Sequence, residues 1–295
     1  MQVELQNRII ESIRERRTNF SGSDAKFALS LGISSSQYSR IMKGDIDKVL
    51  SDANWISIAR KLEVSLNELP KWNIARTPLF DYMEPQLGLC QDTGISLVLC
   101  DLSDIGKSFI ARHYCKTHKN AVYIDCSQKK SRYKLIKQIA KEFGVGHTGT
   151  YSDVYDDLVF YIKSLPNPLV ILDEAGDLEY NAFLELKALW NATEYCCGWY
   201  MMGAEGFRDK IEKGIASRKI GYPELFTRYG TLCQKWMPEN SGELKRERDT
   251  LVAVIAKVNA DPDMDIQRLV AVANGSPRRL YREIIKLRML KSKKQ

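Results

Sequence analysis

The sequence predicts a parallel, two-sided α/β domain with a helical lid behind it and an all-α helix-turn-helix domain before it. Three observations predict this. Short apolar runs alternate with amphipathic stretches over residues 95–240, the pattern of strands crossing over through helices. Ile105-Gly106-Lys107-Ser108, the ending of a phosphate-binding loop, stands directly between one apolar run and one amphipathic stretch. Residues 1–70 and 241–295 carry apolar residues at helical spacing.

Residues 1–70 open with "LQNRIIESIRER", which has helical periodicity. In "SDAKFALSLGISSSQYSRIMKGD", Ser23 is a helix N-cap and Phe27, Ala28 and Leu31 form an inward face. Gly32 stops that helix. Ser34 or Ser35 caps a second, with Tyr38, Ile41 and Met42 inward. A helix, a glycine turn and a second short helix make a helix-turn-helix. The second helix of such a unit enters the DNA major groove, which makes Ser35, Ser36, Gln37 and Arg40 the candidate DNA contacts. "WISIARKLEVSLNELPKW" resembles the later helices of Cro/C1-type repressors.

Residues 71–94, with Pro78 and Pro85 read as breakers, are expected to be an irregular linker. The core follows over residues 95–240. "ISLVLCD", "AVYIDCS", "PLVILDE", "GWYMMGA" and "TLCQKWM" read as five strands. "KSFIARHYCKTH", "RYKLIKQIAKEFGV", "DVYDDLVFYIKSL" and "NAFLELKALWNATEY" read as helices between them. Residues 241–295 are read as three further helices, the last of them basic.

At 295 residues the chain has room for about two domains. Its 44 Lys and Arg against 37 Asp and Glu leave a net charge of +7, which permits an acidic partner without demanding one. Seven cysteines with no C-x-x-C pair suggest reduced thiols rather than disulfides or zinc ligands. The N-terminus is too charged for a secretory signal, and no apolar run nears the ~18 residues a membrane span needs. A cytoplasmic protein without membrane contact is expected.

The loop from Asp101 to Phe109 is the candidate nucleotide-binding stretch: Asp101, Asp104, Ile105, Gly106, Lys107, Ser108 and Phe109. Amides at a helix start cradle phosphate oxygens, and the helix dipole favours their charge. Lys107 reaches the β- and γ-phosphates, and the Ser108 hydroxyl suits Mg²⁺. Asp101 stands where G-x-x-x-x-G-K-[ST] places its first glycine, and Asp104 adds a carboxylate to a loop that wraps phosphates. Weaker nucleotide binding than a glycine-rich loop gives is therefore expected. In "PLVILDEAGDL" an apolar strand ends in Asp173-Glu174. Asp173 suits the metal shell, and Glu174 suits the base that deprotonates the attacking water.

Strand, phosphate loop, strand, Asp-Glu, strand and helical tail, in that order, resemble the AAA+ ATPases. That resemblance implies an arginine finger at Arg228 in "ELFTRYG" and a sensor-2 arginine at Arg278 in "NGSPRRL". The strand "GWYMMGAEGF" falls where sensor 1 lies, but Ala204-Glu205 stands where a polar residue is expected. Within AAA+, "LVILDEAGDL", "MMGAEGF" and "ELFTR" resemble the target-DNA-binding ATPases of transposition, the family of the phage Mu B protein. The resemblance implies ATP and Mg²⁺ as cofactors, and sequence-tolerant binding to double-stranded DNA. It also implies self-assembly into helical filaments and delivery of DNA to a transposase. Arg279, Arg282 and Lys286 on the basic last helix are further candidate DNA contacts, since phosphate neutralisation releases counterions. A transcription regulator with a nucleotide-sensing domain, and a nucleotide-switched adaptor without turnover, are the alternatives.

Overall fold

The computed structural model describes residues 3–292 apart from 21, 63, 66–71, 147, 148, 231 and 232. Four helices form the N-terminal domain: α1 (Val3–Thr18), α2 (Asp24–Leu31), α3 (Ser35–Met42) and α4 (Asp52–Lys61). The Ser23 hydroxyl accepts from the Lys26 amide, and Gly32 ends α2 with φ 81°, a conformation that favours glycine. Ile9, Ile13, Phe27, Ile41, Trp55 and Ile58 close the core. The stretch read as the later repressor helices is helical through Lys61, and its residues 63 and 66–71 lie outside the described structure.

The linker reading is corrected. Residues 78–93 form a helix, α5 (Pro78–Thr93), capped by the Thr77 hydroxyl. Pro78 opens it, where no amide is lost. Pro85 sits inside the helix and forfeits one amide bond. Leu79, Phe80, Met83, Leu87 and Cys90 recur at helical spacing and are buried against the sheet, which outweighs that loss.

The sheet is all parallel, in the order β1 (Ser96–Cys100), β4 (Gly198–Gly203), β3 (Leu169–Asp173), β2 (Ala121–Asp125). Alternate residues feed two cores. Val98, Val122, Val170, Leu172 and Met201 face one layer, and Leu99, Leu169, Ile171, Tyr200 and Met202 face the other. Four helices read from the sequence are present: α6 (Lys107–Thr117), α7 (Arg132–Phe143), α8 (Tyr151–Ser164) and α9 (Tyr180–Ala192). Two more, unread in the sequence, follow β4: α10 (Glu205–Ala216) and α11 (Tyr222–Arg228).

The fifth strand is also corrected. Thr231 and Leu232 lie outside the described residues, and the rest of "TLCQKWM" makes one parallel bridge, Leu99 to Gln234. The Gln234 amide donates to the Val98 carbonyl (2.8 Å), and the Cys100 amide to the Gln234 carbonyl (2.9 Å). The ladder stops there because the next amides turn to a side chain: Trp236 and Met237 donate to the Asp101 carboxylate at 2.7 and 2.9 Å.

The lid comprises α12 (Ser241–Asn259), α13 (Ile266–Ala273) and α14 (Pro277–Ser292), packed around Val252, Ala256, Leu269, Leu280 and Ile284. The chain ahead of α5 is tied to it. The Asn73 amide donates to Asn259 (2.7 Å), and Trp72 meets Tyr281 edge-on at 4.9 Å. The N-terminal domain rests on the core through an Arg16–Glu142 ion pair, a Glu15–Lys116 pair (3.4 Å) and an Asn19 amide bond to the Cys115 carbonyl (2.5 Å). Among the described residues no helix is long and apolar enough to cross a membrane.

Candidate nucleotide site and DNA-facing surfaces

The phosphate loop connects the end of β1 to the start of α6, so it lies at the carboxyl edge of the sheet. Gly106 has φ 106° and open space where a Cβ would stand. The amides of Asp104, Ile105, Gly106, Lys107 and Ser108 have no acceptor among the described residues. Five consecutive unpaired donors at a helix N-terminus fit an anion of the phosphate type.

Lys107 is buried, and its ammonium donates to the carbonyls of Asp101 (2.8 Å) and Leu102 (2.6 Å) within its own loop. Desolvation lowers its pKa, and the facing carboxylates of Asp101, Asp173 and Glu174 oppose that shift. The Lys107 ammonium thus lies within electrostatic reach of both carboxylates of the Asp-Glu pair. Ser108 is half-buried at the head of α6. Ile105 is buried under the loop, and Phe109 is 43% exposed beside it.

The two loop aspartates have structural explanations. Asp101 is fully buried, and its carboxylate accepts the amides of Leu102 (2.7 Å), Trp236 and Met237. It does not need a glycine's conformation, since positive φ falls at Asp104 and Gly106 instead. Its assignment as a nucleotide contact through its side chain is therefore corrected: that carboxylate is spent on the chain beside β1. Asp104, at φ 59°, occupies the left-handed region that Asp tolerates better than most residues. Its carboxylate turns to the lid rather than to solvent. It accepts from the Ser276 hydroxyl and the Arg278 amide (3.3 Å), and it pairs with the Arg278 guanidinium (3.6 Å). Ser276 in turn caps α14 through the Arg279 amide (3.2 Å). A negative group at that helix N-terminus is favourable.

Asp104→Gly is expected to weaken ATP binding several-fold, because it cuts the lid helix that carries Arg278 from the phosphate loop. Titration of labelled ATP against both proteins checks this. Unchanged or tighter affinity would show that the tie from Asp104 to the lid does not support the site.

Asp173 is buried at the end of β3, where its carboxylate accepts the Tyr123 hydroxyl (2.6 Å) and the Glu174 amide (2.9 Å). Arg112 stacks over the Tyr123 ring at 4.9 Å and donates to its hydroxyl. Glu174 follows at φ 49°, a conformation that costs a side-chain-bearing residue about 1 kcal/mol or more. Burial first, then the neighbouring Asp173 charge, raises its pKa. That suits a base. At the end of β4 no polar side chain occupies the sensor-1 position; Gly203 and Ala204 stand there.

Arg228, at the end of α11, stacks on Trp190 at 5.0 Å. The Trp190 indole donates to Ser96, the first residue of β1 (2.9 Å). The phosphate loop is at the opposite end of that strand, about 16 Å away at ~3.3 Å per residue. Arg228 is thus not gathered with the other site residues, whereas Arg278 is.

In the N-terminal domain Gln37 completes a capping box with Ser34 and donates to the Val49 carbonyl (3.2 Å). Its reading as a base contact is corrected, since both ends of its amide are engaged within the fold. Ser35, Ser36 and Arg40 are exposed, and Arg40 pairs with Asp45 at 2.7 Å. Ser39 and Lys43 share that exposed face; the spacing of four residues from Ser35 to Ser39 and from Ser39 to Lys43 is the signal in the sequence. On α14, Arg279 and Arg282 are exposed and form no ion pair among the described residues, while Lys286 pairs with Glu283 (3.4 Å). Arg288 and Lys291 are held by Asp261. Lys293 and Lys294 lie outside the described residues.

A parallel sheet in this order, a phosphate loop after its first strand, an Asp-Glu pair after its third and a three-helix lid define an AAA+ fold, here behind a helix-turn-helix domain. Comparison with known proteins agrees. Residues 91–211 match the family model described as an AAA domain, and residues 13–69 match one described as a helix-turn-helix. No curated protein matches the chain. Among solved structures it is similar to the Orc1 protein of Aeropyrum pernix in complex with DNA, with a TM-score of 0.50 and 17% identity. That likeness is one of fold. It covers 71% of this chain and 58% of the Orc1 chain.

Proposed function

We propose that this protein is an ATPase that binds double-stranded DNA, assembles on it with ATP between its copies, and presents it to a transposase. The observation that carries the ATPase reading is the set of five unpaired amides in the loop whose Lys107 lies under the influence of Asp173 and Glu174. ATP is the substrate whose β- and γ-phosphates suit that cradle. Mg²⁺ fits the donor set: the Ser108 hydroxyl and the Asp173 carboxylate would hold it. Mg²⁺ bound there neutralises phosphate charge, and it commonly takes only one or two protein ligands beside phosphates. Lys107 leaves its loop carbonyls for the phosphates, and Glu174 takes the proton of the attacking water.

The DNA reading rests on the exposed face of α3 and on Arg279 and Arg282, two cations left unpaired on the lid helix that begins at the phosphate loop. The transposition reading rests on the motif resemblance alone and is the target of a direct test: pull-down by integrase-like transposases with and without ATP.

Sequence-tolerant binding predicts similar affinity for unrelated duplexes of equal length and a steep loss with salt. Arg282→Ala should lower the slope of log affinity against log salt by about one. Fluorescence anisotropy at several salt concentrations measures it. A strong preference for one sequence at every salt would favour the operator-reading regulator instead.

A further inference from the structure

We infer that Lys210 is a positioning residue for Glu174, bracing the turn that carries the catalytic carboxylate. This rests on the ATPase reading above for its kinetic consequence but not for its structural one.

Lys210 lies on α10, outside the nucleotide site. Its ammonium donates to the carbonyls of Gly176 (2.6 Å) and Leu178 (2.7 Å). Those carbonyls belong to the short 3₁₀ turn, Ala175–Asp177, that directly follows Glu174, and to the residue after it. The turn is also anchored by Ala175 and Leu178, which are buried in the sheet core. Its backbone bonds run Asp177 to Glu174 (2.9 Å) and Leu178 to Ala175 (3.2 Å). It starts from a Glu174 backbone in the left-handed region, a conformation that persists only where its surroundings impose it.

Helix α10 imposes it from two points. Phe207 packs where a Cβ on Gly176 or Gly203 would stand, 3.2 and 2.9 Å from those positions, so α10 closes on both the turn and the end of β4. One turn further on, Lys210 supplies two charge-assisted bonds, which are stronger than neutral ones. Its stem is partly buried, with the ammonium 5.0 Å from the Phe183 ring centre. Asp177 and Lys219 are its charged neighbours, and Lys130 neutralises Asp177 at 3.0 Å. The sheet end that lacks a polar sensor-1 side chain thus has a lysine one helix turn away, acting on the backbone behind Glu174.

Misplacement of a catalytic group by about 1 Å costs roughly 10²-fold in rate. Lys210→Met keeps the stem and removes both donors, and Lys210→Arg keeps donors. The expected result is that Lys210→Met lowers kcat tenfold or more, leaves the Kd for ATP and the unfolding midpoint within twofold and ~2 °C, and is partly rescued by Lys210→Arg. Hydrogen exchange at the Asp177 and Leu178 amides of nucleotide-free protein is expected to quicken at least fivefold in Lys210→Met. Unchanged exchange overturns the brace whatever the turnover. Quickened exchange with unchanged kcat in an active wild type overturns its catalytic consequence. Loss of turnover in wild type with quickened exchange keeps the brace and removes the ATPase reading instead.

Discussion

Glu174→Gln retains ATP and DNA and loses turnover by about 10²- to 10⁴-fold, the range that a positioned base contributes. The amide fits the same turn and accepts hydrogen bonds, but it does not take the water's proton. The raised pKa of Glu174 gives a second signature. Its carboxylate must be ionised to act, so wild-type turnover falls as pH drops through a value above the ordinary 4.5. Because burial is the main cause of the rise, that acid limb should move little with salt. Phosphate release against pH at saturating ATP measures both. Normal turnover by the variant removes Glu174 from the role, and a wild type that binds ATP without ever hydrolysing it supports the switched adaptor.

Arg228→Ala abolishes turnover while each copy stays folded and still binds ATP. The stacking of Arg228 on Trp190 holds it at the far end of β1 from its own loop, so a role for it in turnover requires the phosphates of a second copy. A cation supplied in this way contributes about 10³- to 10⁵-fold in related phosphoryl transfers. Mixing Arg228→Ala with Lys107→Ala is the decisive measurement. Each is inactive alone, yet a mixed interface pairs an intact arginine with an intact phosphate loop, so part of the rate returns. No recovery, with wild type remaining monomeric in ATP and DNA, removes the shared site.

Much of this was legible in the sequence for a plain reason. Buried parallel strands are apolar on both faces, so "ISLVLCD" and "PLVILDE" declare themselves, and a phosphate loop must sit between strand and helix. What the sequence obscured were residues whose partners are distant in the chain. Asp101 reads as a damaged glycine until Trp236 and Met237, 135 and 136 positions on, are seen donating to it. Asp104 reads as repulsive until Ser276 meets it. Proline signals misled over α5, because a helix that buries five apolar side chains tolerates one missing amide. Phe207, Ile211 and Ile215 carry the spacing of α10, yet they lie among lysines and glutamates that dilute the pattern. Arg228 was assigned from resemblance alone, and only the packing of Trp190 shows which way it faces.

Helix α6 begins at Lys107 within the phosphate loop, and near its other end Lys116 holds Glu15 of α1 and the Cys115 carbonyl holds Asn19, just beyond that helix. Its 11 residues make a strut about 16 Å long with no break in it. The helix-turn-helix domain is therefore mounted on the same rigid rod that ends at the phosphate loop. A tilt of that rod imposed at one end is felt at the other with no hinge between them.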